Sequence, residues 1–127
     1  MKTFSFTGAK KIVFGNGSFS GLAGHLAEST LGYFLASIPN LDLAHFPMRG
    51  AEPEVDFVMT IGTRRIPVEV KYRRRIDPPA DTLGLRAFLD KSVYNAPFGL
   101  LVTLDDAVTV PDPRIVPISL SSLLWLR

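Results

Sequence analysis

Asp56, Glu69 and Lys71 are the residues of this 127-residue chain whose types and spacing point to chemistry. Asp56 lies in the run Glu-Val-Asp-Phe-Val-Met at 54–59, and Glu69 and Lys71 lie in Ile-Pro-Val-Glu-Val-Lys-Tyr at 66–72. Side chains along a strand alternate faces, so Glu54, Asp56 and Val58 share one face of the first run, and Val55, Phe57 and Met59 share the other. The second run places Pro67, Glu69 and Lys71 opposite Val68, Val70 and Tyr72. Gly62-Thr63 between the runs suits a two-residue type II′ turn, which takes glycine first. That turn pairs Ile61 with Arg64, Met59 with Ile66, Phe57 with Val68 and Asp56 with Glu69, and sets Lys71 opposite Glu54. Directly opposed strand residues have β-carbons about 4.5–5.5 Å apart, so two carboxylates would repel and a cation is expected between them. Mg²⁺ or Mn²⁺ takes oxygen ligands and keeps several waters, which such a pair permits. Lys71 could then orient or help deprotonate a water beside the ion, or stabilise charge developing on a phosphate. The plainer reading is a solvated hairpin face with Lys71 paired to Glu54.

The elements that must position these residues follow from the rest of the pattern. A short strand is expected over 11–14, with Gly15-Asn16-Gly17 as a turn and Ser18 or Ser20 as a helix cap. From 19 to 38, Ala23, Ala27, Leu31, Phe34 and Ile38 recur at spacings of three and four, predicting a helix with a buried face that Leu22, Leu26 and Tyr33 widen. Glu28 falls at the edge of that stripe, and Pro39-Asn40 ends the helix. Residues 45–48 predict a short strand and 49–53 a connection. Asp81 is expected to cap a helix carrying Leu85, Phe88 and Leu89. The apolar run at 98–104 predicts a strand buried on both faces, 114–118 a further strand, and Ser119 the cap of a last apolar helix ending at 124–126. The order is helix, hairpin, helix, strand, strand, helix: one domain over 1–127, an α/β sandwich around one mixed sheet.

Composition narrows the chemistry. Hydrophobic residues make up 46% and charged residues 20%, a globular balance. The absence of cysteine excludes disulfides, thiolate zinc sites and cysteine nucleophiles. His25 and His45 have no metal-ligand spacing with each other. The start lacks the apolar core of a signal peptide and no run is long enough to span a bilayer, so a cytoplasmic protein without membrane contact is expected. The net charge of +2 is small, but Arg64, Arg65, Lys71, Arg73, Arg74 and Arg75 crowd beside the hairpin with Glu69 as the one acid among them.

Glu54-Val55-Asp56-Phe57-Val58 followed by Ile66-Pro67-Val68-Glu69-Val70-Lys71 resembles the Asp and Glu-X-Lys elements of the PD-(D/E)XK nuclease superfamily. The closer resemblance is to a C-terminal domain of unknown function found in many prokaryotic AAA-type ATPases. There the two runs precede a helix with a Leu-X-X-Phe pattern, here Leu85-Arg86-Ala87-Phe88, and an apolar strand, here Phe98 through Thr103. Gly24-His25-Leu26-Ala27-Glu28 matches that family's Gly-X-Leu-X-Glu helix, and the resemblance covers nearly the whole chain.

The resemblance implies a restriction endonuclease-like sandwich and a metal-dependent nuclease acting on DNA. Asp56 and Glu69 would be metal ligands, Lys71 would stand near the attacking water, and Glu28 would be the accessory acid. Arg64, Arg65, Arg73, Arg74 and Arg75 would neutralise phosphates, although such a run is as often simply solvated. No phosphate-binding loop is present, so ATP hydrolysis by that route is not expected and an AAA-type ATPase domain or protein is an implied partner. The alternative is a catalytically inactive nuclease-fold module that binds DNA or assembles subunits, as a homodimer or within a larger complex.

Overall fold

A computed structural model describes residues 19–46 and 53–126. The strand expected over 11–14, the glycine turn after it, Ser18, Met48 and the connection at 49–52 lie outside the described residues. Helix α1 spans Phe19–Ala36, followed by strands β1 (Asp42–Phe46), β2 (Val55–Ile61) and β3 (Arg64–Lys71). A single turn α2 (Pro78–Asp81) leads into α3 (Leu83–Asp90) and a 3₁₀ turn over Ser92–Tyr94. Strands β4 (Gly99–Thr103) and β5 (Ile115–Ser119) precede the short helix α4 (Leu120–Leu124).

The five strands form one mixed sheet in the order β1-β2-β3-β4-β5. The first three are antiparallel, and β3, β4 and β5 are parallel. The hairpin register is the one its turn dictates: Ile61 pairs with Arg64, Met59 with Ile66 and Phe57 with Val68. Gly62 has φ +64° whereas Thr63 has no positive φ, as a type II′ turn requires. A long-range tether holds the turn. Asn95, itself left-handed at φ 52°, donates from Nδ2 to the Thr63 carbonyl at 3.1 Å, and the Arg65 guanidinium lies 5.7 Å from the Tyr94 ring centroid.

Helices cover both faces of the sheet. On one, Ala27, Leu31 and Leu35 of α1 and Leu120 and Leu123 of α4 pack on Leu43, Phe57, Met59, Ile66, Val68 and Val102. On the other, Leu85, Phe88 and Leu89 of α3 pack on Val55, Val58, Leu101 and Ile115. Leu26 and Tyr33 do not widen the buried stripe of α1 but are exposed, while Leu35 joins the core. Ser119 caps α4 as expected, its Oγ accepting the Ser122 N–H at 3.2 Å.

Val55 departs from strict alternation. Between Ala44↔Val58 and Phe46↔Val55 the register advances two residues on β1 and three on β2, so β2 carries one extra residue. This β-bulge turns Val55 onto the α3 face beside Val58, rather than onto the α1 face with Phe57 and Met59. Asp56 sits within the bulge.

Candidate metal centre

The β2–β3 ladder runs to Phe57↔Val68. Where the next pair, Asp56 and Glu69, would continue it, carboxylates bind the backbone instead. The Val70 N–H donates to Asp56 Oδ2 at 2.7 Å, and the Asp56 N–H donates to Glu69 Oε1 at 3.3 Å. The two acids are therefore neighbours, as the turn register implies. A bulge is a common way for a strand to re-aim a side chain beside a functional site, because it frees a residue from its pairing.

Lys71 takes a different partner from the one its position across from Glu54 suggests. Its Nζ lies 3.0 Å from Glu69 Oε2, two residues away along the same face, and Glu54 is exposed. Glu69 thus bridges the Asp56 backbone and the Lys71 ammonium with its two oxygens. Asp56 Oδ1 takes no hydrogen bond among the described residues. Every fully buried side-chain nitrogen or oxygen there has a partner, so Oδ1 is within reach of solvent.

The charge balance is negative. Burial pushes the Asp56 carboxyl from 3.8 up to about 8, with the charges of Glu69 and then Glu28 adding to the rise. The Val70 N–H and Lys71 pull the other way but do not offset it. Burial also raises Glu69; the charge and hydrogen bond of Lys71 and the Asp56 N–H oppose that rise, and Glu54 adds to it. Two sheltered carboxylates facing one lysine hold a proton near neutral pH in place of a second positive charge.

Glu28, on α1, is half-buried and close enough for its charge to reach Asp56. It does not close a three-carboxylate cluster: among the described residues no three His, Cys, Asp or Glu side chains gather to hold a metal ion. The carboxylates brought together are two, Asp56 and Glu69.

The arginines do not form one patch. Arg64 and Arg65 are exposed at the turn end of β3, five and four residues from Glu69, or about 13–17 Å along an extended strand. Arg73, Arg74 and Arg75 follow Lys71 after Tyr72. Arg73 pairs through Nη2 with Oδ1 of Asp81, whose Oδ2 accepts the Asp77 N–H at 2.7 Å. Asp81 is therefore not the cap of α3. It ends α2 and is buried against Arg73, while Thr82 occupies the cap position without a side-chain cap bond. Burial pushes Asp81 upward, but the Arg73 hydrogen bond, the Asp77 N–H and the charges of Arg73 and Lys71 hold it below the usual carboxylate range. No sequence spacing signals a pair eight residues apart across Pro78-Pro79.

Gly84 seats α3 against the site. A β-carbon there would overlap the Glu54 carbonyl oxygen and lie 3.3 Å from Val55 Cγ1, so the glycine allows the helix to approach the start of β2.

No protein-family model, no curated protein and no solved structure matches this chain. Among the described residues no helix is long and apolar enough to cross a membrane.

Proposed function

We propose that this chain is a metal-dependent nuclease domain that hydrolyses DNA phosphodiester bonds on a restriction endonuclease-like framework. The observation that carries this reading is the meeting of Asp56, Glu69 and Lys71 at the bulged end of the β2–β3 hairpin, with more negative charge than Lys71 neutralises. The donors fit a hard divalent cation such as Mg²⁺ or Mn²⁺: they are carboxylate oxygens, partly sheltered, and their raised proton affinity marks a place where positive charge is favourable. Asp56 and Glu69 would hold the ion, which supplies Lewis acidity toward a phosphoryl oxygen.

The chain's own residues supply the rest. Lys71, paired with Glu69, is placed to stabilise the negative charge that builds on the phosphoryl oxygens as water adds to phosphorus and the P–O ester bond breaks. The water proton passes to solvent, and the departing oxygen is protonated from solvent. The Val70 N–H fixes Asp56 Oδ2 and leaves Oδ1 toward solvent, so one oxygen orients the carboxylate and the other is free to coordinate. Glu28 adds negative charge behind Asp56 and strengthens its hold on a cation.

Calorimetric titration with Mn²⁺ and cleavage of plasmid DNA in Mg²⁺ or Mn²⁺ test the reading. Asp56→Ala is expected to weaken Mn²⁺ binding by more than about a hundredfold, beyond the ~10–100-fold typical of losing an outer-shell partner. Cleavage should fall in parallel, and cleavage that survives Asp56→Ala would refute the assignment. A second reading, a nuclease-fold assembly module, is favoured by Trp125, which is 86% exposed beside the exposed Leu126 after α4. A stable dimer in light scattering together with no Mn²⁺ binding would select that reading.

A further inference from the structure

The segment after β3 is tied down more firmly than the carboxylate site alone requires. The Arg73 N–H donates to the Lys71 carbonyl at 3.0 Å, its Nε donates to the Arg75 carbonyl at 3.2 Å, and its Nη2 pairs with Asp81. The Asp81 side chain is only 7% exposed, its second oxygen takes the Asp77 N–H, and its own N–H donates to the Asp77 carbonyl at 2.8 Å. These bonds join the end of β3 to α2 and fix the backbone on both sides of Arg74. The charge of Arg73 is spent on a buried carboxylate.

Arg74 and Arg75 are in the opposite situation. Both are exposed, and neither has an ion-pair partner among the described residues. They stand three and four residues beyond Lys71, within about 10–14 Å of it even along fully extended chain. Asp77 is the one nearby acid on this segment before α2; its backbone is engaged with Asp81, and its carboxylate forms no ion pair with Arg74 or Arg75 among the described residues. Two adjacent guanidinium groups on an anchored backbone, with no internal carboxylate to satisfy them, suit the fork geometry of phosphate recognition.

We infer that Arg73 is the anchor of this segment, and that Arg74 and Arg75 contact the backbone phosphates of a polynucleotide lying across the Asp56–Glu69–Lys71 site, an inference that rests on the nucleic-acid reading above. Four of the five arginines beside the hairpin then divide by role. Arg65 leans on Tyr94, Arg73 fastens β3 to α2, and Arg74 and Arg75 meet the ligand.

Fluorescence anisotropy with a short labelled DNA duplex, titrated in Ca²⁺ at several KCl concentrations, tests this. The double variant Arg74→Ala/Arg75→Ala should keep the wild-type unfolding midpoint and lose affinity at low salt. Its slope of log affinity against log salt should fall by about two, at ~0.9 for each phosphate no longer neutralised. Arg73→Ala should lower the unfolding midpoint and change the slope by less than one. Should Arg73→Ala fail to fold, Asp81→Asn provides the same comparison: a lower midpoint with the slope not reduced. Wild-type affinity and slope in the double variant would overturn the inference while leaving the nuclease reading standing. A reduced slope at unchanged midpoint in Arg73→Ala would overturn it too, by making Arg73 the phosphate ligand. No duplex binding by the wild-type chain at low salt would remove the nucleic-acid reading and the inference with it.

Discussion

Two clusters of charge in this molecule settle their electrostatics in opposite ways. Around Arg114, the guanidinium meets Asp112 Oδ2 at 2.8 Å and Asp90 Oδ1 at 3.0 Å, and Asp112 also accepts the Arg114 N–H at 2.9 Å. The hydrogen bonds that Arg114 donates, from side chain and then backbone, hold Asp112 down to about 2, and donating to the Asp112 and Asp90 carboxylates keeps Arg114 firmly charged. At the hairpin, burial and like charge push Asp56 up to about 8. The Arg114 cluster fastens the loop between β4 and β5 to the end of α3 with its charges largely satisfied. The hairpin cluster is left short of positive charge inside the fold, a condition common where a site must accept a ligand.

The largest expected effect comes from removing that surplus. Asp56 binds its proton more tightly in the folded chain than in the unfolded one, so between about 4 and about 8 the folded state carries more protons. Its contribution to stability is complete below about 4 and is lost as pH rises through about 8. Asp56→Asn keeps the acceptor for the Val70 N–H without the charge. It should match the wild type below about pH 4 and exceed it near pH 9 by about 3–5 kcal/mol, the scale of an uncompensated buried charge. Thermal unfolding of both proteins across that range gives the answer, and equal pH dependence would show that Asp56 is not the titrating group. If Asp56 and Glu69 hold an ion as proposed, Mn²⁺ uptake at pH 7 is expected to release a proton, checked as a buffer-dependent binding enthalpy.

A smaller effect is expected at the seat of α3. Glycine to alanine inside a helix ordinarily stabilises by about 1 kcal/mol, yet Gly84→Ala should destabilise by about 1–3 kcal/mol because its β-carbon meets the Glu54 backbone. Chemical denaturation gives the sign directly. Weaker Mn²⁺ binding by this variant would sharpen the contrast, because the displaced strand is the one that carries Asp56.

The Arg114 cluster should respond least. Asp112→Asn weakens an ion pair whose arginine is exposed and screened by solvent, although Asp112 itself is part-buried, and should cost about 1 kcal/mol at pH 7. The depressed Asp112 stabilises the fold above about pH 4, and that contribution is lost as pH falls through about 2, so the variant and wild type should converge in strong acid. A larger loss at neutral pH would mean that this cluster, too, is held under strain.

The sequence by itself determined what depends on neighbours along the chain. Gly62 set the hairpin turn, and the turn set the register as far as Phe57↔Val68, one pair short of Asp56 and Glu69. The spacing of Ala27 and Leu31 placed α1, and Ser119 marked the start of α4. Helix, hairpin and strand order were legible for the same reason, since turn geometry and side-chain periodicity act over a few residues. Only the tertiary structure decided the rest. The bulge that turns Val55 over depends on pairing with β1, and Lys71 pairs with Glu69 rather than Glu54 beyond the last β2–β3 pair, Phe57↔Val68. Asp81 became the buried partner of Arg73 rather than a helix cap because Pro78-Pro79 folds back as α2 beneath the end of β3. The proton affinity of Asp56 was likewise beyond the sequence. Burial is its main cause, and burial is a property of the layers that close over a residue rather than of the residues beside it.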